Sequence, residues 1–399
     1  MEFRSETSNT PFIFDGIIPA SKSTFNRALM IQSYEPKIKV SGDGLCDDIV
    51  KMRSAVLNLN RHEGVFDCGE AGAVLRFLSL RVSRESGSFL LTGRPRLFKR
   101  PQNELLQLFS QLQVRYQMEE RGLRIESKGW KIPSKPLKVN ARESSQFLSG
   151  VLLNSWNLPQ PLVIEIPSEI NSGAYFQLTL DILKDFGLEW IQEGSLFTIP
   201  ELQKPKQLTY KVESDVSSAF AIAALAVVAG TASIRSFPFN SKQPDIAFIK
   251  ILECMGAVIQ RSDDCLIVGR TSKLKGNDFN LQNCPDLFPV LSALSVQAEG
   301  ITRIYGAPQL KFKESNRIEE VVTLFNRLGI LAEGRDDGVL IHGKTITHTN
   351  EVLLDAKDDH RLVMMGAVLK ASGFNIKIEN SESVSKSFPE FLAFAKDYL

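Results

Sequence analysis

Apolar runs with helical spacing alternate along the chain with short stretches in which every second residue is apolar, and the alternation recurs. Asp215 to Ile234, Asp286 to Ile304 and Asp358 to Ile378 each open on an acidic residue and continue as an apolar helix-like run. Each then reaches a glycine (Gly230, Gly300, Gly373) and ends in a β-like stretch. The three aspartates stand 71 and 72 residues apart. A second marker repeats in phase. Leu183 to Gly187, Leu252 to Gly256 and Phe325 to Gly329 each close a periodic apolar pattern on glycine, the expected left-handed helix stop. Glu104 to Gln113 reads as the same helix, with Gln113 in the glycine position. Two phased markers predict a duplicated α/β architecture with three units of roughly 70 residues per half. The first half spans 20–213. Gln207 to Glu213 alternates like a crossing strand, with Pro205 as a boundary marker.

Length agrees with that division, because 399 residues exceed what one ordinary core organises. Hydrophobic residues at 43% and charged residues at 23% are the balance of a globular protein. The 47 basic and 46 acidic residues nearly cancel, so the chain lacks the electrostatic footprint of a nucleic-acid or membrane binder, and anions must be held by local clusters. No apolar stretch is long enough for a transmembrane helix, and Met1 to Thr10 does not read as a secretion or transit signal. Five scattered cysteines without a Cys-x-x-Cys pair, and only four histidines, argue against disulfides and zinc and for a cytoplasmic protein.

Candidate chemistry collects where helix patterns begin, because free N–H groups and the positive end of the helix dipole favour anions there. Lys22 and Arg27 flank the hydroxyls of Ser23 and Thr24 ahead of Ala28 to Ile31. Cys68-Gly69-Glu70-Ala71-Gly72-Ala73 is a small-residue turn that lets a backbone approach a ligand, without the pattern of a nucleotide P-loop. Ser144 and Ser145 precede Gln146 and an apolar run, and either hydroxyl makes a good N-cap. Lys311 and Lys313 oppose the dipole of the helix that follows Arg317, a hint of an anionic ligand. Capping explains Asp358 and Asp359, but not His360 and Arg361.

Taken in order, Ser21-Lys22-Ser23 with Asn26-Arg27, Ser144-Ser145-Gln146, Lys313-Glu314 with Arg317, Asp359-His360-Arg361, and Lys386 with Phe388-Pro389 resemble the 5-enolpyruvylshikimate-3-phosphate synthase family from Pro19 to Phe391. The resemblance implies an α/β (α+β) fold: a two-domain inverse α/β barrel of three βαβαββ repeats per domain, with the active site in the interdomain cleft. Residues 20–213 would form the middle domain, and 1–19 with 214–399 the second. It also implies transfer of the enolpyruvyl group of phosphoenolpyruvate to shikimate 3-phosphate by a monomer. No cofactor, metal or covalent nucleophile is required.

The family roles carry over residue by residue. Lys22, Ser23 and Arg27 would grip the shikimate carboxylate and hydroxyls. Ser144, Ser145 and Ser172 would bind its phosphate, and Gln146 and Tyr175 would flank the ring. Gln309 and Lys313 would lie near the same substrate. Gly72, Arg100, Arg317, Arg361 and Lys386, with Lys22 and Gln146, would hold phosphoenolpyruvate. Asp286, which also faces the shikimate substrate, would act as base and Glu314 as proton donor, with Lys22 assisting. Bidentate arginines suit four anionic groups in one dry site, and two carboxylates in different environments can divide acid and base work.

The chain departs from the family at Glu70, where Asn is usual, and at Lys99, where an acidic residue is usual. The two swaps are expected to compensate as a new ion pair. Ala20, Phe25, Phe77 and Gln309 also differ from the usual residues. Two alternatives bear on function: the related UDP-N-acetylglucosamine enolpyruvyl transferase, disfavoured by Ser23 and Ser144-Ser145-Gln146, and a paralogue that binds phosphorylated ligands without turnover.

Overall fold

The Val216–Ala229 helix has no polar face, so it is stable only when protein surrounds it, and 12 of its 14 residues are buried. Phe288–Val296 is buried throughout, and His360–Ala371 nearly so. Serines survive in that setting by bonding back along the helix: Ser292 Oγ donates to the Phe288 carbonyl and Ser295 Oγ to the Leu291 carbonyl, each at 2.8 Å. Strands behave differently. In Phe12–Ile17 the rings of Phe12 and Phe14 are buried, whereas Ile13 is 74% exposed. Helices therefore fill the interior and sheets lie outside them.

A computed structural model describes residues 11–59, 63–166, 170–343 and 350–399. The chain divides into two units, one of Met1–Ala20 with Glu213–Leu399 and the other of Ser21–Val212. In the second unit the interior helices are Lys22–Gln32, Gly72–Val82 and Gln146–Leu153. No helix among the described residues is long and apolar enough to cross a membrane.

Four sheets share one arrangement, a parallel pair extended by an antiparallel hairpin. The first unit holds Phe12–Ile17 beside Gly230–Arg235, and Asp278–Asn280 beside Ile301–Tyr305. The second holds Glu63–Asp67 beside Ser86–Thr92, and Leu137–Lys138 beside Leu162–Glu165. Thr209–Lys211 with Lys39–Ser41, and Val352–Asp355 with Ile376–Glu379, are parallel pairs alone. This is the two-domain α/β fold with repeated units. Gly230 and Gly338 allow close strand approaches: a Cβ there would meet the carbonyl oxygens of Phe12 and Ile304, each at 1.8 Å.

The phased helix stops are left-handed, with φ of 73° at Gly187, 81° at Gly256 and 74° at Gly329. Gln113 adopts the same conformation, φ 57°, without the freedom of glycine. The repeat dictates the backbone there even where the residue type opposes it.

Candidate active site

In the Ser21–Val212 unit, Ser21 caps Lys22–Gln32 through the Thr24 amide, which places Lys22 on the first helical turn. A cation is disfavoured there by the dipole. Asp48, in the first turn of Asp47–Asn58, answers it: its carboxylate lies 3.1 Å from Lys22 Nζ, and both side chains are largely buried. One turn on, Arg27 is 3% exposed. Its Nε donates to Thr179 Oγ1 at 2.8 Å, its Nη1 to the Ser23 carbonyl at 2.8 Å and its Nη2 to the Tyr175 carbonyl at 3.2 Å. All three partners are neutral. Burial pulls its pKa down to about 10, against a smaller opposing effect of Tyr175.

Ser172 sits ahead of the Gly173–Asp185 helix with φ 58° and ψ 43°, a left-handed conformation that serine adopts only under constraint. Tyr175 follows on the first turn of that helix. Ser145 occupies the cap position of Gln146–Leu153 but makes no capping bond through its hydroxyl. Ser144 Oγ instead accepts from the Gln146 amide at 3.2 Å. At the start of Gly72–Val82, a Cβ on Gly72 would fall 2.8 Å from Arg100 Nη1, so glycine is what lets the guanidinium lie against the helix start.

The other unit gathers the remaining charges. Arg317, 1% exposed, is surrounded by carboxylates. Asp359 takes Nε and Nη2 at 2.9 and 3.1 Å, Asp286 takes Nη1 at 2.9 Å, and Glu314 takes Nη2 at 3.0 Å. Lys313 Nζ lies 3.2 Å from Asp286 Oδ1, and Arg361 Nη2 lies 3.6 Å from Asp286 Oδ2. Asp359 is itself fixed as the cap of His360–Ala371, accepting from the Arg361 amide at 3.1 Å and from Ser315 Oγ at 2.9 Å. Lys357 and Asp358 both have positive φ, and that turn offers the Asp358 carbonyl to Lys386 Nζ at 2.8 Å. Gln309, one short turn earlier than Lys313, donates from Nε2 to the Gln282 carbonyl at 3.3 Å.

Electrostatics separate the acids of this cluster. Burial works to raise the Asp286 pKa, but Lys313, Arg361 and Arg317 together outweigh it and hold the carboxylate well below its usual range, against the repulsion of Glu314. Burial lowers the Arg317 pKa less than Asp359, Glu314 and Asp286 raise it. Asp245, 1% exposed, moves the other way, up to about 6, first through burial and then through repulsion by Asp286.

Residues 38–394 match the EPSP synthase (3-phosphoshikimate 1-carboxyvinyltransferase) family. The chain belongs to the EPSP synthase family. The 3-phosphoshikimate 1-carboxyvinyltransferase of Methanocaldococcus jannaschii is 33% identical over 344 residues, 85% of this chain and 80% of the relative. The enzyme of that name from Clostridium acetobutylicum is 29% identical, over 94% of this chain and 92% of the relative. The fold is that of the solved EPSP synthase from Acinetobacter baumannii, with a TM-score of 0.73 at 22% identity and coverage of 98% and 96%.

Two expectations need correction in this EPSP synthase family member. Glu70 pairs with Arg94, at 3.0 Å, not with Lys99. Lys99 ends the short Pro95–Lys99 helix and is exposed, whereas Arg94 precedes that helix and reaches back. Lys311, read as a hint of an anion, is occupied by Asp336 at 2.8 Å.

Sequence reasoning also missed Asp48, Asp245 and Thr179, and credited Asp359 with capping alone. Asp48 is one of two acids in the first turn of its helix, a place the helix dipole alone explains. Thr179 lies 152 residues from the arginine it holds, with no local sign of the contact. Phe25, a departure from the family, is explained by the Arg53 guanidinium 4.6 Å from its ring centroid.

Proposed function

We propose that this protein, working in the cytoplasm as a monomer, transfers the enolpyruvyl group of phosphoenolpyruvate to the 5-hydroxyl of shikimate 3-phosphate and releases phosphate. The match of residues 38–394 to the EPSP synthase family carries the reading. Arg27 supports it: a buried guanidinium held only by neutral partners suits a carboxylate that arrives with the substrate.

Lys22, Ser23 and Arg27 bind the shikimate carboxylate and hydroxyls. Ser144, Ser145 and Ser172 take the phosphate, and Gln146 and Tyr175 flank the ring. Gly72, Arg100, Arg317, Arg361 and Lys386 hold phosphoenolpyruvate. The 5-hydroxyl oxygen bonds to C2 and its proton passes to Asp286, while Glu314 gives a proton to C3. The result is a noncovalent tetrahedral ketal. In its collapse the C2–O bond to phosphate breaks, Lys22 assists protonation of the departing oxygen, and the C3 proton returns to Glu314.

Asp286 is ionised before substrate arrives, as a base must be, but the surrounding cations make it a weak one. An anionic substrate that draws on Lys313, Arg317 and Arg361 raises the basicity of Asp286 when it is needed.

Product mass tests the acceptor. Incubation with phosphoenolpyruvate and shikimate 3-phosphate yields the enolpyruvyl ether of shikimate 3-phosphate, and UDP-N-acetylglucosamine in its place yields none. The opposite pattern overturns the assignment.

A further inference from the structure

Arg76 belongs to none of the substrate-contacting sets above, yet it is 3% exposed and packed against the residues that carry two of them. Its Nη1 donates to Gln146 Oε1 at 2.8 Å and contacts Ser144 Oγ at 3.4 Å. Its own pose is locked. Nη2 donates to the Pro101 carbonyl at 3.0 Å, Nε reaches Gln102 Oε1 at 3.4 Å, and the guanidinium lies 4.7 Å from the Phe147 ring centroid. We propose that Arg76 is a positioning residue that makes Gln146 and Ser144 obligate hydrogen-bond donors toward the phosphorylated substrate. The proposal rests on the substrate reading above.

A guanidinium has five N–H groups and no acceptor, so the Gln146 atom facing Arg76 is its carbonyl oxygen. The amide NH2 is thereby fixed on the other branch of the side chain. Ser144 Oγ has two lone pairs, one engaged by the backbone N–H of Gln146 at 3.2 Å and the other facing Arg76. Only its hydrogen is left to offer. Donors without accompanying acceptors favour a phosphoryl group over a neutral hydroxyl, which needs an acceptor for its own proton. Arg76 thus selects for the phosphate without touching it.

Calorimetric titration of shikimate 3-phosphate and of shikimate into the whole protein tests this, with Arg76→Gln and Gln146→Glu as variants. In Arg76→Gln, whose own carbonyl lets the Gln146 amide turn round, the affinity ratio of shikimate 3-phosphate to shikimate falls about tenfold. A purely structural role for Arg76 lowers both affinities by the same factor, and an unchanged ratio overturns the proposal. Gln146→Glu keeps the acceptor facing Arg76 and loses the donors. It therefore melts no lower than the parent protein, while binding shikimate 3-phosphate at least about tenfold more weakly. Undiminished binding by Gln146→Glu also overturns the proposal, even where Arg76→Gln fails to fold. If the parent protein does not bind shikimate 3-phosphate, the substrate reading itself fails and the proposal with it.

Discussion

Arg27 and Arg317 are both buried arginines close to the start of a helix, but their surroundings are opposite. Arg317 meets Asp359, Asp286 and Glu314 within 3.1 Å, whereas Arg27 meets only a hydroxyl and two carbonyls. The protein compensates one charge internally and gives the other only neutral partners. A compensated cation builds a rigid frame that holds its carboxylates in place and keeps Asp286 ionised. An uncompensated one makes folding harder and binding stronger, because an arriving anion lifts the desolvation penalty.

The largest test of that contrast removes the compensated charge. Arg317→Met leaves the fully buried Asp359 without its guanidinium partner, and is expected to destabilise the protein by about 3–5 kcal/mol and abolish turnover. Chemical denaturation and a product assay check both. A loss below about 1 kcal/mol would show that the network is not a frame.

Next is Asp245, whose folded pKa of about 6 lies above its ordinary 3.8. The folded state holds that proton more tightly. Its contribution is therefore fully present at low pH and is lost as pH rises from about 4 to about 6. At about 1.4 kcal/mol per pH unit, the gap is worth about 3 kcal/mol. Asp245→Asn should gain most of that at pH 7.5 and little at pH 4 in denaturant melts, and equal effects at both pH values would contradict the assignment. Asp286 has the opposite sign, because its depressed pKa gives stability that disappears as pH falls below the ordinary carboxylate range.

Arg27→Met is the counterpart of the first test. Its stability should stay within about 1 kcal/mol of the parent or exceed it, while shikimate 3-phosphate affinity falls about 100-fold by calorimetry. A large loss of stability with intact binding would make Arg27 a structural residue. The smallest effect concerns the corrected ion pair. Lys99→Ala should leave thermal stability unchanged, whereas Arg94→Ala should cost at most about 1 kcal/mol, since Arg94 is 64% exposed.

The residues of this contrast are legible in the sequence, but their partners are not. The repeat was legible because all-apolar helices and glycine stops are local signals, and the spacing even located the left-handed turn at Gln113. Site cations such as Lys22, Arg317 and Arg361 were legible as motifs. What each cation meets was not. Asp48 and Thr179 are brought in from distant segments, and no periodicity marks a residue for the partner it finds after folding. Glu70 shows the same limit. Arg94 and Lys99 stand at the two ends of one short helix segment, and its direction decides between them.

Phosphate release with both substrates present tests the central claim most directly. The account predicts one phosphate freed for each shikimate 3-phosphate converted, with none released when either substrate is omitted. Tight binding of both ligands without phosphate release would contradict it and leave a binding protein built on an enzyme's frame.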